Sequence, residues 1–180
     1  MGYWDTPGRS DEWYTPPAVF AALGCHFDLD VAPAKYAPGQ HVPCAEFIIG
    51  DGLDADWHGF VWMNPPFGGR NGIAPWLDRF FEHGDGIALT PDRTSAPWFW
   101  SAWARADLVL FTRKIRFLRP DGSEGVSPSN GTALLAVGDR GCAALRRAAG
   151  LGFGILGEPR IAPSAASRPT SPDHPERTRS

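Results

Sequence analysis

The residues best suited to chemistry are Asn64-Pro65-Pro66-Phe67, which follow directly on the apolar run Phe60-Val61-Trp62-Met63. An asparagine, two consecutive prolines and an aromatic ring suit one task, the holding of a planar amine. The Asn64 side-chain carbonyl accepts a hydrogen bond from an N–H, and the backbone carbonyl of Pro65 accepts a second. Two such acceptors draw the amine hydrogens aside and leave the nitrogen lone pair aimed at an electrophile. The proline pair restricts φ and so fixes where the carbonyls sit. Phe67 offers a flat face to a heteroaromatic ring, a contact of about 1–3 kcal/mol in base–aromatic pairs. The plain alternative is a strand-terminating turn, since Asn-Pro starts many turns.

Those residues need a strand to carry them. Phe60 to Met63 is short, apolar and β-prone, and the prolines stop it abruptly. In open α/β sheets the carboxyl edge of such strands is where ligands bind. Pro16-Pro17, then Ala18 to Leu23, then Gly24 predicts a short helix with proline at its start and glycine at its end. Phe27 to Ala32 alternates apolar and acidic residues, which predicts a strand delivering Asp28 and Asp30. Lys35 to Cys44 reads as a loop, Phe47 to Ile49 as a short strand running into Gly50-Asp51-Gly52, and Gly68 to Gly72 as a flexible loop. Helices are expected at Ile73 to His83, Ala96 to Ala106 and Arg140 to Ala149. In the first of these, Trp76, Leu77, Phe80 and Phe81 share one face. Further strands are expected at Gly86 to Thr90, Leu108 to Phe111, Ile115 to Leu118 and Thr132 to Val137. Residues 1–12 read as a flexible amino terminus and 13–157 as a single domain. Residues 158–180, rich in Pro, Ser and Arg, read as a disordered tail. Strands alternating with helices imply a doubly wound, mostly parallel α/β sheet with hairpin-spaced strands near its end.

Asn64-Pro65-Pro66-Phe67 resembles the (Asp/Asn/Ser)-Pro-Pro-(Tyr/Phe) motif of amino-methyltransferases that use S-adenosylmethionine. Other stretches resemble the small phage-type DNA N6-adenine methyltransferases, the Dam-like family. They are Trp13-Tyr14-Thr15-Pro16-Pro17, Phe27 to Ala32, Asp51-Gly52-Leu53 with Trp57, Pro75-Trp76, Pro91-Asp92-Arg93-Thr94 and Trp98-Phe99. The likeness runs in order from about Trp13 to about Val137. The tetrapeptide alone is shared with protein and RNA amino-methyltransferases, so the ordered set is the stronger signal.

The resemblance implies a Rossmann-like (class I) S-adenosylmethionine-dependent methyltransferase fold. It implies transfer of a methyl group to the exocyclic amine of adenine in double-stranded DNA, with Asn64, Pro65, Pro66 and Phe67 as the catalytic segment. It puts Asp30-Val31-Ala32 on the first cofactor-binding strand, where a carboxylate accepts from the methionine amino group; Asp28 is the alternative ligand. Larger relatives follow that strand with a Gly-x-Gly loop, whereas this chain has Pro33-Ala34-Lys35-Tyr36. Thr15-Pro16 matches the amino-terminal cofactor segment, although Thr-Pro is also an ordinary helix start. Asp51 or Asp54 would accept from the cofactor adenine, although Gly-Asp-Gly is also a common turn. For DNA the candidates are Arg70, Arg93, Arg113, Lys114 and Arg116, set against the ordinary fate of such charges as solvated side chains and surface ion pairs. No segment is long enough for a separate recognition domain, so specificity falls to the loops Gly68 to Gly72 and Asp121 to Asn130, or to a homodimer or partner subunit.

Composition narrows the field less sharply. The chain has 180 residues, 43% hydrophobic and 21% charged, and reads as one ordinary globular domain. Eight Trp suit a stacking-rich cleft or simply a small core. The net charge of −3 lacks the basic footprint of DNA binders, although Arg105, Arg113, Lys114, Arg116 and Arg119 are concentrated in the second half. Cys25, Cys44 and Cys142 form no close-spaced pair, which argues against a disulfide or zinc framework and for a reducing cytoplasm. Pro43-Cys44 has the residues of a cytosine C5-methyltransferase nucleophile, but it precedes the Asn64 strand instead of lying on it, and a structural cysteine is the commoner case. The five histidines have no metal-ligand spacing, so no metal is expected. No apolar run reaches transmembrane length. Two rival readings remain: an amino-methyltransferase acting on an RNA base or protein amide, and a non-catalytic DNA-binding relative.

Overall fold

Apolar runs that point side chains to both faces of a sheet must be covered on both sides, and this sequence supplies helices for each. The computed structural model describes residues 13–33, 42–66, 72–119, 121–125 and 130–159. Its elements, in chain order, are α1 (Pro17–Leu23), β1 (Phe27–Asp30), β2 (Cys44–Phe47), β3 (Val61–Met63), α2 (Ala74–His83), β4 (Gly86–Pro91), α3 (Pro97–Arg105), β5 (Leu108–Thr112), β6 (Thr132–Val137), α4 (Gly138–Gly150) and β7 (Gly154–Gly157). The strands form one seven-stranded sheet in the order β2-β1-β3-β4-β6-β5-β7.

Strand alternation divides the core. Trp62, Ile87, Leu89, Leu108, Leu110 and Leu134 face Val19, Phe20 and Leu23 of α1 and Cys142, Leu145 and Ala148 of α4. Val61, Met63, Ala88, Val109 and Leu135 face Trp76, Leu77 and Phe80 of α2 and Phe99 and Ala102 of α3. Each helix presents one apolar stripe to its face of the sheet. The α1 stop is secured by Gly24, at φ 62°, whose N–H donates to Phe20 O. Arg147 of α4 donates to the Ala21 and Ala22 carbonyls at 2.9 and 2.5 Å, which ties the last turn of α1 to α4.

Four expectations need correction. The sheet is mixed, not mostly parallel in its pairings: β1–β2, β1–β3 and β3–β4 are parallel, and β4–β6, β5–β6 and β5–β7 antiparallel. The cause is topological. β6 inserts between β4 and β5 and runs against both, while β1 to β5 share one direction. The second strand is Cys44–Phe47, not Phe47 to Ile49, because its ladder follows β1 from Phe27↔Cys44 to Asp30↔Phe47 and β1 ends there. Ile49 lies beyond it, 91% exposed. Ile115 to Leu118 forms no strand. Leu118 makes single bridges to Tyr14 and Glu124, and the Tyr14 side cannot extend because Pro16 and Pro17 lack an N–H. Finally, β7 was not expected, since its two apolar residues between glycines carry no alternation. It forms through main-chain pairing to β5.

The expected flexible terminus 1–12, and the tail 158–180 apart from Glu158 and Pro159, lie outside the described residues, as does most of the Lys35 to Cys44 loop. Among the described residues no helix is long and apolar enough to cross a membrane.

Candidate active site

The parallel strands β1, β3 and β4 bring their carboxyl ends to one edge of the sheet. Asp30 pairs with Trp62, and Trp62 with Ile87, so Asp30 and Asn64 end on neighbouring strands. The prolines after Asn64 supply no N–H to continue the ladder. Pro65 is buried, Asn64 half-buried and Pro66 exposed. Phe67 and Arg70 lie outside the described residues.

Asn64 is met by a residue far away in sequence. Its Nδ2 donates to Thr15 Oγ1 at 3.2 Å, and Thr15 is 5% exposed. Two features deliver Thr15. Tyr14 and Leu118 exchange backbone hydrogen bonds of 3.0 and 2.9 Å on one side. On the other, α1 docks through Phe20, whose ring meets Trp62 edge-on at 4.9 Å. Trp62 lies two residues before Asn64, so the packing of the helix sets the reach of the hydroxyl. Nothing in the residue types alone pairs Thr15 with Asn64; the sequence signal is only that each precedes a proline pair.

Asp30 is almost wholly buried, and its Oδ1 accepts the Ala32 N–H at 3.2 Å, closing the strand end. Asp28 is placed differently. Its Oδ2 accepts from Phe60 N at 2.7 Å and from Arg140 at 2.9 Å. The Phe60 N–H, then the Arg140 guanidinium, hold its carboxyl below the usual carboxylate range.

The loop after β2 is pressed onto the end of β1. A Cβ at Gly52 would stand 2.1 Å from Val31 O and 2.8 Å from the Trp76 ring, so only glycine allows that approach. Trp57 donates its indole N–H to Gly52 O at 2.7 Å and stacks with Trp76 at 6.4 Å. Arg79 lies over Trp57 and donates to Ala55 O. This backing holds Gly52 against Val31, and the neighbouring Asp51 side chain is exposed and accepts Leu53 N at 2.9 Å. Asp54 is also exposed, its N–H donating to Asp51 O at 3.2 Å. Ala32 is half-buried.

The expected DNA-contacting side chains separate into two groups. Arg93, Arg113 and Lys114 are exposed, and their side chains make no ion pair or hydrogen bond among the described residues. Arg93 follows β4 and the other two follow β5, so all lie at the Asn64 edge. Strand spacing puts the end of β5 about 14 Å from that of β3. Arg116 instead pairs with Glu124 at 3.4 Å. Arg119 donates to Ser123 Oγ and Glu124 O within its own turn, and Arg105 pairs with Asp78 of α2 at 2.6 Å. Of the basic residues concentrated in the second half, Arg105, Arg116 and Arg119 therefore have partners within the fold, whereas the Arg113 and Lys114 side chains have none among the described residues.

Between these regions the strand ends are joined by side chains to which the sequence reading gives no role. Thr112 and Thr132 join hydroxyls at 2.6 Å, and Asp92 folds against Gly131, where a Cβ would stand 2.2 Å from its Oδ2. These contacts fasten the ends of β4, β5 and β6.

In a comparison with known families, the family described as DNA N-6-adenine-methyltransferase (Dam) matches residues 6–146. No curated protein and no solved structure matches. The matched span includes Thr15, Asp30, Asn64-Pro65-Pro66 and Arg93, and covers most of the chain. The protein belongs to the DNA N-6-adenine-methyltransferase (Dam) family.

Proposed function

We propose that the protein is a site-specific DNA adenine-N6 methyltransferase that uses S-adenosylmethionine. The observation that carries this reading is the position of Asn64-Pro65-Pro66 at the carboxyl end of β3, beside the end of β1, within the span matched by the family. The sheet order supports a Rossmann-like, class I arrangement, with helices on both faces and the antiparallel β6 between β4 and β5.

The donor chemistry at the edge fits the cofactor. Carboxylates at Asp30 and Asp51 flank the close approach of Gly52 to Val31, and carboxylates accept from amino and hydroxyl groups. Asp30, with Val31 and Ala32, would hold the amino-acid end, and Asp51 the nucleoside end, with Asp54 the alternative there. When bound, S-adenosylmethionine supplies a methyl group on a positively charged sulfur.

The chain's own residues do the rest by positioning. A target adenine leaves the duplex at an unstacking cost of a few kcal/mol and lies against Phe67. Asn64 Oδ1 and the Pro65 carbonyl accept its two amine hydrogens, so its lone pair is presented away from both. No residue forms a covalent bond; orientation and fixed dipoles lower the barrier. Arg93, Arg113 and Lys114 hold the DNA backbone, with Arg70 and Arg116 as further contacts.

The test is incubation of the full chain with labelled S-adenosylmethionine and, in separate reactions, unmethylated genomic DNA, RNA and protein, followed by digestion of the DNA to nucleosides. N6-methyl-2′-deoxyadenosine should accumulate. Label in RNA or protein but not DNA would overturn the substrate, and no cofactor binding by calorimetry would leave a non-catalytic DNA binder. Phe67→Ala should weaken the base step by about 1–3 kcal/mol and leave cofactor affinity unchanged.

A further inference from the structure

We infer that Thr15 is a positioning residue that sets the orientation of the Asn64 side-chain amide. This rests on the reading of Asn64 Oδ1 as an acceptor for the target amine. The two ends of an asparagine amide have nearly the same shape and opposite hydrogen-bonding character. Turned one way Asn64 accepts the amine hydrogens; turned the other it sets an NH₂ against an NH₂. A backbone carbonyl has no such ambiguity, so of the two acceptors only Asn64 needs an orienting partner.

Thr15 Oγ1 is that partner. It lies 3.2 Å from Asn64 Nδ2, on a residue 5% exposed, where bulk water is a poor substitute acceptor. With the nitrogen end occupied, the carbonyl end is the one left for a base. The hydroxyl is held by the Tyr14–Leu118 backbone pair and by the Phe20–Trp62 contact. The carrier of Asn64 is the Trp62 strand itself. One packing contact therefore fixes both partners, and the orientation is in place before any ligand arrives.

The resemblance of Thr15-Pro16 to a cofactor segment makes a different prediction for the same hydroxyl, and Thr15→Val with Thr15→Ser separates the two. For a positioning role, Thr15→Val should lower kcat at saturating S-adenosylmethionine about tenfold, the scale of one modest hydrogen bond. The cofactor Kd measured by calorimetry should not change, and Thr15→Ser should restore kcat. A raised cofactor Kd with wild-type kcat would overturn the inference in favour of a cofactor contact. Equal losses in Thr15→Val and Thr15→Ser would overturn it in favour of simple packing.

A second readout needs neither DNA nor cofactor. The Asn64 side-chain NH₂ signals, assigned by their disappearance in Asn64→Asp, should shift on Thr15→Val and stay on Thr15→Ser. Signals indifferent to both changes would also overturn the inference. Wild-type protein that fails to methylate DNA sinks the functional reading instead, whereas active wild type with unaffected Thr15→Val sinks only the role of Thr15.

Discussion

Asp28 and Asp30 lie two residues apart on β1 and, by strand alternation, on the same face, yet the two ends of the sheet use them differently. Asp28 accepts the Phe60 N–H that leads into β3, and Arg140 bridges to it from α4 while lying over the Phe60 ring at 4.5 Å. Nearby, Asp107 accepts the Gly138 N–H at 2.9 Å, which secures the start of α4. This is a closed joint, with each acceptor matched to a backbone N–H or a guanidinium. At the opposite edge Asp30 closes its own strand end, while Asn64 is met by Thr15, and the Asp51 and Arg93 side chains stay exposed on loops that follow β2 and β4. One end of the sheet is built to hold elements together. At the other, Thr15 reaches Asn64 from a separate segment.

The comparison is tested most severely by Asn64→Ala. It should lower kcat by about 10²–10³-fold, the loss seen when one preorganised polar group is removed, with little change in melting temperature. Retained activity above about a tenth of wild type would show that the open edge does not work through Asn64.

Gly52→Ala comes next. A methyl group 2.1 Å from Val31 O forces the loop away from β1, so it should cost about 1–3 kcal/mol of stability and weaken S-adenosylmethionine together. A destabilised protein with unchanged cofactor affinity would detach the Asp51 loop from the site.

The two aspartates should then give opposite results. Asp28→Ala should lower stability by about 1 kcal/mol through the lost hydrogen bonds, with cofactor Kd unchanged; Asp30→Ala should raise that Kd. Calorimetry and thermal melts on both variants check this, and an exchange of the two phenotypes would reverse the assignment.

The smallest effect is on pH. Folding lowers the Asp28 pKa, so its contribution is full above the unfolded value of about 3.9. It is lost as pH falls through the lower folded value. Asp85 moves the other way, because burial raises its pKa, and its protonation relieves a cost as pH falls. Asp28→Asn should therefore flatten the acid limb of a stability–pH curve. An unchanged limb would mean that solvent screens the Asp28 contacts.

Much of the architecture is legible from local chemistry. The Gly24 helix stop, the proline end of β3 and the apolar runs of β4, β5 and β6 are written in short spans, because φ restriction, missing N–H groups and burial act locally. Elements that depend on a partner were harder to read. Ile115 to Leu118 has strand composition but only single-residue partners in Tyr14 and Glu124. Gly154–Gly157 has little strand signal and is made a strand by β5. The basic residues after β5 likewise divide according to which carboxylates the fold brings near them.

Asn64-Pro65-Pro66 on an apolar strand, and two acidic residues on another, were determined by residue types in neighbouring positions. They specify what chemistry the chain carries and where its strands must stop. That Asp28 is a joint while Asp30 closes the end of β1, that Gly52 lies on Val31, and that Thr15 meets Asn64 across 49 residues were decided only by tertiary structure. Sheet order and helix docking choose those partners, and they do so through contacts between segments that the linear sequence keeps apart.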